Sequence, residues 1–221
     1  MNYHWDFGML WHYRWLLAGG LGTTILYTIG TVIAGLIVGL AVGLGRSILR
    51  PIYAWPLQLY LGLFRCTPLL VQIVWFYYAL PVIIGVNIPA PIACGISLTL
   101  YTGAFYAEIF RGGIEAIDIG QTEAGRAIGM RRFKIFRRII LPQAIRVMVP
   151  AFINQTIMQL KNTSLVSTLA VGDLLYQGSL ITAETYRPLE VYTAVALIYF
   201  AVLFPLTLAA EVADRRFGRH K

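Results

Sequence analysis

The sequence predicts an all-α integral membrane protein with five transmembrane helices, and three observations support this fold class. The first is composition, since 58% of the 221 residues are hydrophobic and only 13% are charged, against about 25% charged in soluble domains. The second is that residues 15–45 and 66–107 contain no charged side chain. The second run is long enough for more than one crossing, because a span needs about 20 apolar residues. The third is the distribution of Lys and Arg between the spans.

The basic residues predict the orientation. Eight of the 18 Lys and Arg residues lie in residues 111–146, and the first loop and the C-terminal tail are also basic. The loop at 82–90 has none, and the loop at 169–190 has only Arg187. Since Lys and Arg accumulate in cytoplasmic loops, the N-terminus is predicted outside and the C-terminus inside. The net charge of +8 is thereby explained by the cytoplasmic loops of a membrane protein, and no nucleic acid partner is expected.

The five predicted spans belong to a single domain, residues 1–221, and cover residues 20–45, 55–80, 91–110, 144–168 and 191–210. Gly35, Gly39 and Gly43 share one face of the first span, so we expect another helix backbone to approach closely there. The second span contains Arg65, and Pro68 removes a backbone donor and kinks or interrupts it. Residues 52–64 could then lie along the cytoplasmic interface.

Residues 123–140 have the pattern of an amphipathic cytoplasmic helix. Its apolar residues recur at intervals of three and four, with arginines between them, so one face is predicted to be buried. Gly125 and Gly129 each cost about 1 kcal/mol within a helix relative to Ala, and predict either a close backbone approach or a bend. Pro142 is predicted to end the helix before the fourth span. On composition alone, such a helix could instead lie on anionic lipid.

The spacing of this segment carries a resemblance. Glu123-Ala124-Gly125, three residues, Gly129, nine residues and then Ile139-x-Leu141-Pro142 resembles the EAA loop of ATP-binding cassette (ABC) importer permeases, with Gly125 in place of an Ala. Residues 64–72, 107–114 and 160–165 are similar to permeases for polar amino acids such as histidine, glutamate, glutamine and arginine. Cys66 stands where that group commonly has Gly. The likeness extends over about residues 21–216.

The resemblance implies a type I ABC importer permease fold in the bacterial inner membrane. It implies a dimer with a second copy or a paralogue, a cytoplasmic ATPase on each coupling loop (111–143), and a periplasmic or lipid-anchored amino acid binding protein. The residues implied in ATPase coupling are Glu123, Ala124, Gly125, Gly129, Arg131, Arg132, Leu141 and Pro142. No cofactor is expected on this chain, because it lacks the GxxxxGK[ST] phosphate loop, and ATP and Mg would bind to the partner ATPases. An enzyme is not predicted.

Polar side chains within spans are costly and therefore suggest a substrate path. Ser97, Tyr101 and Glu108 share one face of the third span. Gln155, Gln159 and Asn162 share a face of the fourth, with Asn154 and Lys161 adjacent. Lys161 needs an anionic partner, for which the sequence offers Asp173, Glu184 or a substrate carboxylate. Thr67, Gln72 and Ser164, from the segments that resemble the family, complete the predicted path.

Structural roles remain open for several of these residues. Glu108 lies three residues from Arg111, a spacing at which ion pairs form on helices, and Gln or Asn residues often bridge membrane helices. For the whole chain, the leading hypothesis is a permease subunit for polar amino acids. An opine, a sulfur amino acid or a compatible solute is the alternative cargo. A stand-alone secondary transporter is disfavoured, because the spans show no inverted repeat.

Overall fold

The computed structural model describes residues 4–48 and 51–217, and within that part of the chain every regular element is a helix. A short 3₁₀ turn, Gly8–Trp11, precedes the first long helix. The α-helices are α1 (Arg14–Ile48), α2 (Pro51–Cys66), α3 (Leu69–Ile84), α4 (Ala90–Glu115), α5 (Ile119–Ala127), α6 (Arg132–Ile135), α7 (Leu141–Asn162), α8 (Leu174–Thr185) and α9 (Pro188–Phe217).

Three helices of the described chain are long and apolar enough to cross a membrane: α1, α4 and α9. They contain the predicted spans 20–45, 91–110 and 191–210. Two bent pairs raise the possible number of crossings to five. The first pair is α2 with α3, bent by 111°, and the second joins residues 132–169 to α8 with a bend of 46°. The five-span count requires each bent pair to act as one span.

The predicted second span, 55–80, is not one helix, and the interruption predicted at Pro68 is confirmed. Pro68 has an extended backbone (φ −61°, ψ 135°) and begins α3. Gln72 holds the corner, since its amide donates to the Phe64 carbonyl at 3.0 Å and to the Thr67 hydroxyl at 2.8 Å. Thr67 in turn donates to the Leu63 carbonyl at 2.7 Å. The corner is therefore a hydrogen-bonded structure and not a simple proline kink.

The glycine face predicted on the first span packs against α4. A Cβ added at Gly39 would lie 2.6 Å from the Tyr106 Cβ and 2.9 Å from both the Ala107 nitrogen and the Gly103 oxygen. At Gly35 it would lie 3.0 Å from the Thr102 side chain. Real Cβ contacts below 3.0 Å are essentially absent, so α1 and α4 approach to a distance that only glycine permits.

We expect Gly39→Ala to destabilise the protein by roughly 1–2 kcal/mol, because the added methyl group meets backbone atoms that cannot move independently. Gly30→Ala is the matched control, since a Cβ at Gly30 would have nothing within 4 Å. Thermal unfolding of both variants in detergent is the measurement. Equal unfolding temperatures would show that the glycine face is not a packing requirement.

The predicted continuous helix at residues 123–140 is wrong, because the helix ends before Gly129. Gly129 has φ +76°, a left-handed conformation that closes α5. The Met130 N–H donates to the Gly125 carbonyl at 3.0 Å, and the Gly129 N–H donates to the Arg126 carbonyl at 2.9 Å. The predicted buried face is also wrong, since Ile128 is 75% exposed. Of the two predicted roles for the glycines, Gly129 provides the bend.

Pro142 does not end the helix as predicted. The chain is helical from Arg132 through α6, a π turn at Phe136–Ile140, α7 and a 3₁₀ segment at Thr163–Leu169. Proline lacks the N–H that would donate to the carbonyl four residues earlier in an α-helix. Pro142, however, lies in the first turn of α7, directly after the π turn. The wider turn changes the hydrogen-bond register, and the helix continues past the proline.

Candidate functional site

One face of α7 remains exposed along the length of the helix. At 100° and ~1.5 Å per residue, Arg146, Asn154, Met158 and Lys161 fall within an arc of about 120°, and Arg146 and Lys161 are about 22 Å apart. All four side chains are exposed. We call this surface the α7 face.

A cleft of about 830 Å³ opens beside the Arg146 end of the α7 face. It lies between the connection from α4 to α5, the first half of α7 and the end of α9. Its lining residues are Ala116, Ile117, Asp118, Gln121, Gln143, Arg146, Val147, Pro150, Ala151, Asn154 and Asp214. The α7 face therefore leads from Lys161 to a polar cleft at the other end of the helix.

Lys161 forms no ion pair within the described part of the chain. Asp173, one predicted partner, is fully buried and accepts the backbone N–H groups of Tyr176 at 2.9 Å and Leu175 at 3.3 Å. Glu184, the other, lies beside Tyr13 and raises the pKa of that phenol. Both predicted protein partners are therefore wrong, because these carboxylates lie on α8 or at its start and are used there. A substrate carboxylate is the alternative that remains.

The 3₁₀ segment that follows Lys161 carries four hydroxyl groups, of which that of Thr163 is buried. Each of four hydroxyls donates to the carbonyl three residues earlier at 2.7–2.8 Å, and they belong to Thr163, Ser164, Ser167 and Thr168. Ser164 donates to the carbonyl of Lys161 itself. A hydroxyl that donates in this way can still accept hydrogen bonds through its oxygen lone pairs. Lys161 is thus followed by hydrogen-bond acceptors that carry no charge.

Gln159, predicted on the path, lies in the protein interior. It is fully buried, donates to the Thr31 hydroxyl at 2.8 Å and accepts from the Thr102 hydroxyl. These contacts join α7 to α1 and α4, which is the helix-bridging role that the sequence left open. Gln155 and Asn162 are half-buried, and Gln155 has no hydrogen bond to another described residue. The accessible surface of α7 is therefore the neighbouring face, that of Asn154 and Lys161.

The polar residues predicted on the third span also face inward. Ser97 is fully buried, and Tyr101 is half-buried with its ring 4.8 Å from that of Phe105. Glu108 contacts three guanidinium groups, from Arg46 at 2.7 Å, Arg111 at 2.8 Å and Arg65 at 3.4 Å. The predicted ion pair with Arg111 is confirmed, and it belongs to a larger cluster that joins α1, α2 and α4.

The structure thus separates the ten predicted path residues into two groups. Lys161, Asn162 and Ser164 lie together at the end of α7, with Gln155 below them. The others have structural contacts or lie in the interior: Thr67, Gln72, Ser97, Tyr101, Glu108 and Gln159. Arg146 and Asn154 were not in the predicted set, although the spacing of Asn154 and Lys161 on one helix face was a signal for Asn154.

The segment predicted to couple to the ATPase exposes apolar side chains. Ile119 and Ile128 are each 75% exposed and Phe133 is 73% exposed, and large exposed apolar side chains can mark interaction sites. Glu123 lies on α5 among them, exposed and without an ion pair to any described residue. We call Ile119, Glu123, Ile128 and Phe133 the docking patch.

The other predicted coupling residues shape or surround the docking patch. Gly125 is buried, and a Cβ there would lie 2.8 Å from the Ile135 side chain, so Gly125 provides the close approach between α5 and α6. The remaining residues are exposed apart from the half-buried Leu141, and they are Ala124, Gly129, Arg131, Arg132 and Pro142.

These features define a class of protein: a helical membrane transport subunit with an exposed α7 face, a polar cleft and a basic loop that carries an apolar patch. Residues 35–219 match the family described as the binding-protein-dependent transport system inner membrane component, and the chain belongs to this family. It is a transport component, and ATPase activity in such systems lies in separate partner subunits.

Several curated proteins are similar over most of their length. The probable amino-acid ABC transporter permease protein PatM of Vibrio harveyi is 38% identical, with 97% of each chain covered. The octopine transport system permease protein OccM of Rhizobium meliloti is 36% identical, covering 88% of this chain and 83% of that protein. The histidine/lysine/arginine/ornithine permease protein HisM of Salmonella typhimurium is 33% identical, covering 91% and 89%.

Solved structures share the fold. A chain from a crystal structure of an amino acid ABC transporter with histidines superposes with a TM-score of 0.91 at 34% identity, covering 97% of this chain and all of that chain. A chain of the inward-facing MetNI methionine ABC transporter superposes with a TM-score of 0.75 at 23% identity, covering 93% and 97%. At that lower identity the second likeness shows the fold alone. The predicted class, an ABC importer permease, is confirmed.

Proposed function

We propose that this permease subunit passes polar amino acids through a bacterial inner membrane, and that Lys161 receives the carboxylate of the substrate. The observation that carries the proposal is an exposed ammonium group, at one end of the α7 face, that has no carboxylate partner among the described residues. A lone cation at membrane depth requires an anion. Every amino acid supplies one, and Asn162 and Ser164 lie beside Lys161 to accept hydrogen bonds from the substrate ammonium group.

The names of the relatives support amino acids as the cargo. PatM and HisM are named for amino acids, and the structure with a TM-score of 0.91 is an amino acid transporter. OccM is named for octopine, which favours an opine as the second candidate. An opine also carries a carboxylate, so the same role of Lys161 applies. Competition between an amino acid panel and octopine for uptake distinguishes the two.

The docking patch supports the proposed partners. We place one cytoplasmic ATPase subunit, with its ATP and Mg, on the docking patch of each permease. A second permease copy or a paralogue completes the membrane unit, and a periplasmic or lipid-anchored binding protein delivers the substrate at the other face. Apolar side chains that are three-quarters exposed on a basic loop are more stable when buried against a protein partner than when exposed to water.

Docking is tested by co-purification of the ATPase with Glu123→Lys and Gly129→Glu. Charge reversal should weaken contact with positive groups on the ATPase. Gly129→Glu should distort the turn, because a non-glycine residue at φ +76° costs about 1–2 kcal/mol. Steric crowding at Gly129 itself is not the reason, since a Cβ there would have nothing within 4 Å. Both variants should insert in the membrane yet lose the ATPase and transport.

The matched controls are Glu211→Lys and Gly112→Glu. Both positions are exposed and lie outside the docking patch, and a Cβ at Gly112 would meet nothing within 4 Å. They should retain the ATPase. Normal co-purification and uptake in both test variants would refute ATPase docking at this patch.

The proposed orientation, with the N-terminus outside, is tested by cysteine labelling. In a Cys66→Ser, Cys94→Ala background, cysteines at Asn87 and Glu184 should react with an impermeant thiol reagent added to intact spheroplasts. A cysteine at Lys134 should react only after lysis, because its loop carries the basic residues that remain cytoplasmic. Labelling of position 134 from outside would reverse the orientation.

A further inference from the structure

The start of α1 carries an aromatic and basic cluster that lies outside both the α7 face and the docking patch. Trp11 and Trp15 are 73% and 75% exposed. The guanidinium carbon of Arg14, which is also exposed, lies 4.7 Å from the centre of the Trp11 ring and 5.6 Å from that of Trp15. A guanidinium at these distances is attracted to the face of an indole, so the three side chains form one surface. We call Trp11, Arg14 and Trp15 the Trp–Arg cluster.

The chain that leads into this cluster is fixed to the protein on its other side. Three of its side chains pack against the hydrophobic core between α1, α8 and α9: Met9, Leu10 and Tyr13. The Asp6 N–H donates to the carboxylate of Glu190, which is fully buried, at 3.1 Å. Arg187 donates to the same carboxylate at 3.0 Å and to the His4 carbonyl at 3.2 Å. The Trp–Arg cluster is therefore presented outward from a backbone that is held in place.

The position of the cluster along α1 places it among lipid headgroups. The apolar span of α1 runs from Arg14 to Arg46, which is about 48 Å at ~1.5 Å per residue. A bilayer is about 40–45 Å thick when its headgroups are included, so each of these arginines lies at headgroup depth. Tryptophan is enriched at this depth in membrane proteins, because its ring is apolar and its N–H is polar.

The exposed apolar side of α1 is continuous with the two indoles. At 100° per residue, six exposed side chains lie within about 40° of Trp15 around the helix axis, and they are Leu26, Ile29, Ile33, Ile37, Leu40 and Leu44. Gly35 and Gly39, which pack against α4, lie on the other side of the helix. An apolar stripe along a spanning helix is suited to lipid acyl chains, and Trp15 extends that stripe to the headgroups.

We propose that the Trp–Arg cluster binds a phospholipid, with the Arg14 guanidinium on the phosphodiester and the two indoles against the glycerol and upper acyl chains. One N–H of Arg14 donates to the Trp11 carbonyl at 2.6 Å, which leaves four of its five N–H groups for an anion. Arg14 forms no ion pair with any residue that the structure describes. A phosphate accepts two parallel N–H groups of a guanidinium. Lipid binding here requires neither the orientation nor the substrate proposed above.

Energy transfer from the two indoles to a labelled lipid tests the site. In the full chain, Trp5→Phe, Trp55→Phe and Trp75→Phe leave Trp11 and Trp15 as the only tryptophans. The purified protein in detergent is titrated with phosphatidylethanolamine that carries a dansyl group on its headgroup. We expect Arg14→Gln to weaken lipid binding by about fivefold, the effect of one cation at an anionic surface. Arg126→Gln, at an exposed position on α5, is the matched control and should bind the lipid normally.

Competitors identify the bound chemistry. Unlabelled phosphatidylglycerol should displace the probe, and diacylglycerol with the same acyl chains should do so at least about fivefold less well, since it lacks the phosphate. Displacement by inorganic phosphate as effective as that by phosphatidylglycerol would indicate a site for a free anion and overturn the proposal. Equal lipid affinity of Arg14→Gln and the unmodified cluster would also overturn it.

Quenching in vesicles distinguishes lipid from a protein partner. Phosphatidylglycerol brominated near the top of its acyl chains should quench the two indoles more strongly than lipid brominated near the chain ends. If a second copy of the permease or another protein covers the Trp–Arg cluster, neither lipid quenches it, and lipid binding is refuted. This measurement uses the unmodified cluster, so it decides the question even if Arg14→Gln does not fold.

Discussion

Lys161→Ala should lower the affinity for the amino acid substrate by about ten- to a hundredfold, while the ATPase stays bound. The change removes a charge-assisted contact to the substrate carboxylate, worth roughly 1.5–3 kcal/mol. Lys161 has no ion pair with a described residue, so its loss leaves no protein carboxylate unpaired. The folded yield of the variant should therefore equal that of the wild-type protein.

The measurements are substrate binding, uptake, basal ATP hydrolysis and folded yield on the same preparation. Lys161→Met keeps most of the side-chain length without the charge and should behave as Lys161→Ala does. Lys134→Ala, which removes a lysine from the cytoplasmic segment, should bind substrate normally. Unchanged affinity in both Lys161 variants would remove the residue from the site. A fall in folded yield would instead indicate a structural role that the contacts do not show.

Glu108→Ala should lower the free energy of unfolding by about 2–3 kcal/mol. Removal of one member of a buried ion pair costs 3–5 kcal/mol, and the partial exposure of the three arginines, 25–44%, reduces that cost. The variant leaves Arg46, Arg65 and Arg111 close together without a counter-charge. Three helices, α1, α2 and α4, lose their shared contact at the same time.

Thermal unfolding in detergent, at low and high salt, measures this effect. Glu211→Ala is the control, because among the described residues Glu211 pairs with Arg215 alone, at 3.8 Å, and both side chains are more than half exposed. A surface pair of this kind contributes about 0–1 kcal/mol. If Glu108→Ala unfolds at the same temperature as Glu211→Ala, the cluster does not stabilise the fold.

The sequence predicted the elements whose causes are local. The apolar runs of α1, α4 and α9 are visible in composition, and the break at Pro68 follows from the missing N–H of proline. The glycines at positions 35, 39 and 43 predicted a close approach because their spacing matches a helix face. In each case a few neighbouring residues determine the outcome, so a single sequence contains the information.

The remaining features depend on residues far apart in the chain. Arg46 and Arg65 reach Glu108 from 62 and 43 residues away, and no spacing rule connects them. Gln159 is buried because Thr31 and Thr102 meet it from two other helices. Gly129 illustrates a different limit. The sequence showed that a glycine there is costly within a helix, but it did not distinguish a left-handed turn from a close packing contact as the reason. The turn ends α5 and leaves Ile128 exposed.

The continuous helix from Arg132 to Leu169 gives the protein a mechanical connection between its two ends. Phe133 of the docking patch and Lys161 belong to this one helix, separated by about 42 Å along its axis. A rigid-body tilt of this helix would move both residues together. A tilt of about 5° at the docking end would shift Lys161 by about 4 Å over that length. Under the proposed function, a small tilt produced by the ATPase would therefore be enough to withdraw the Lys161 ammonium group from a substrate carboxylate.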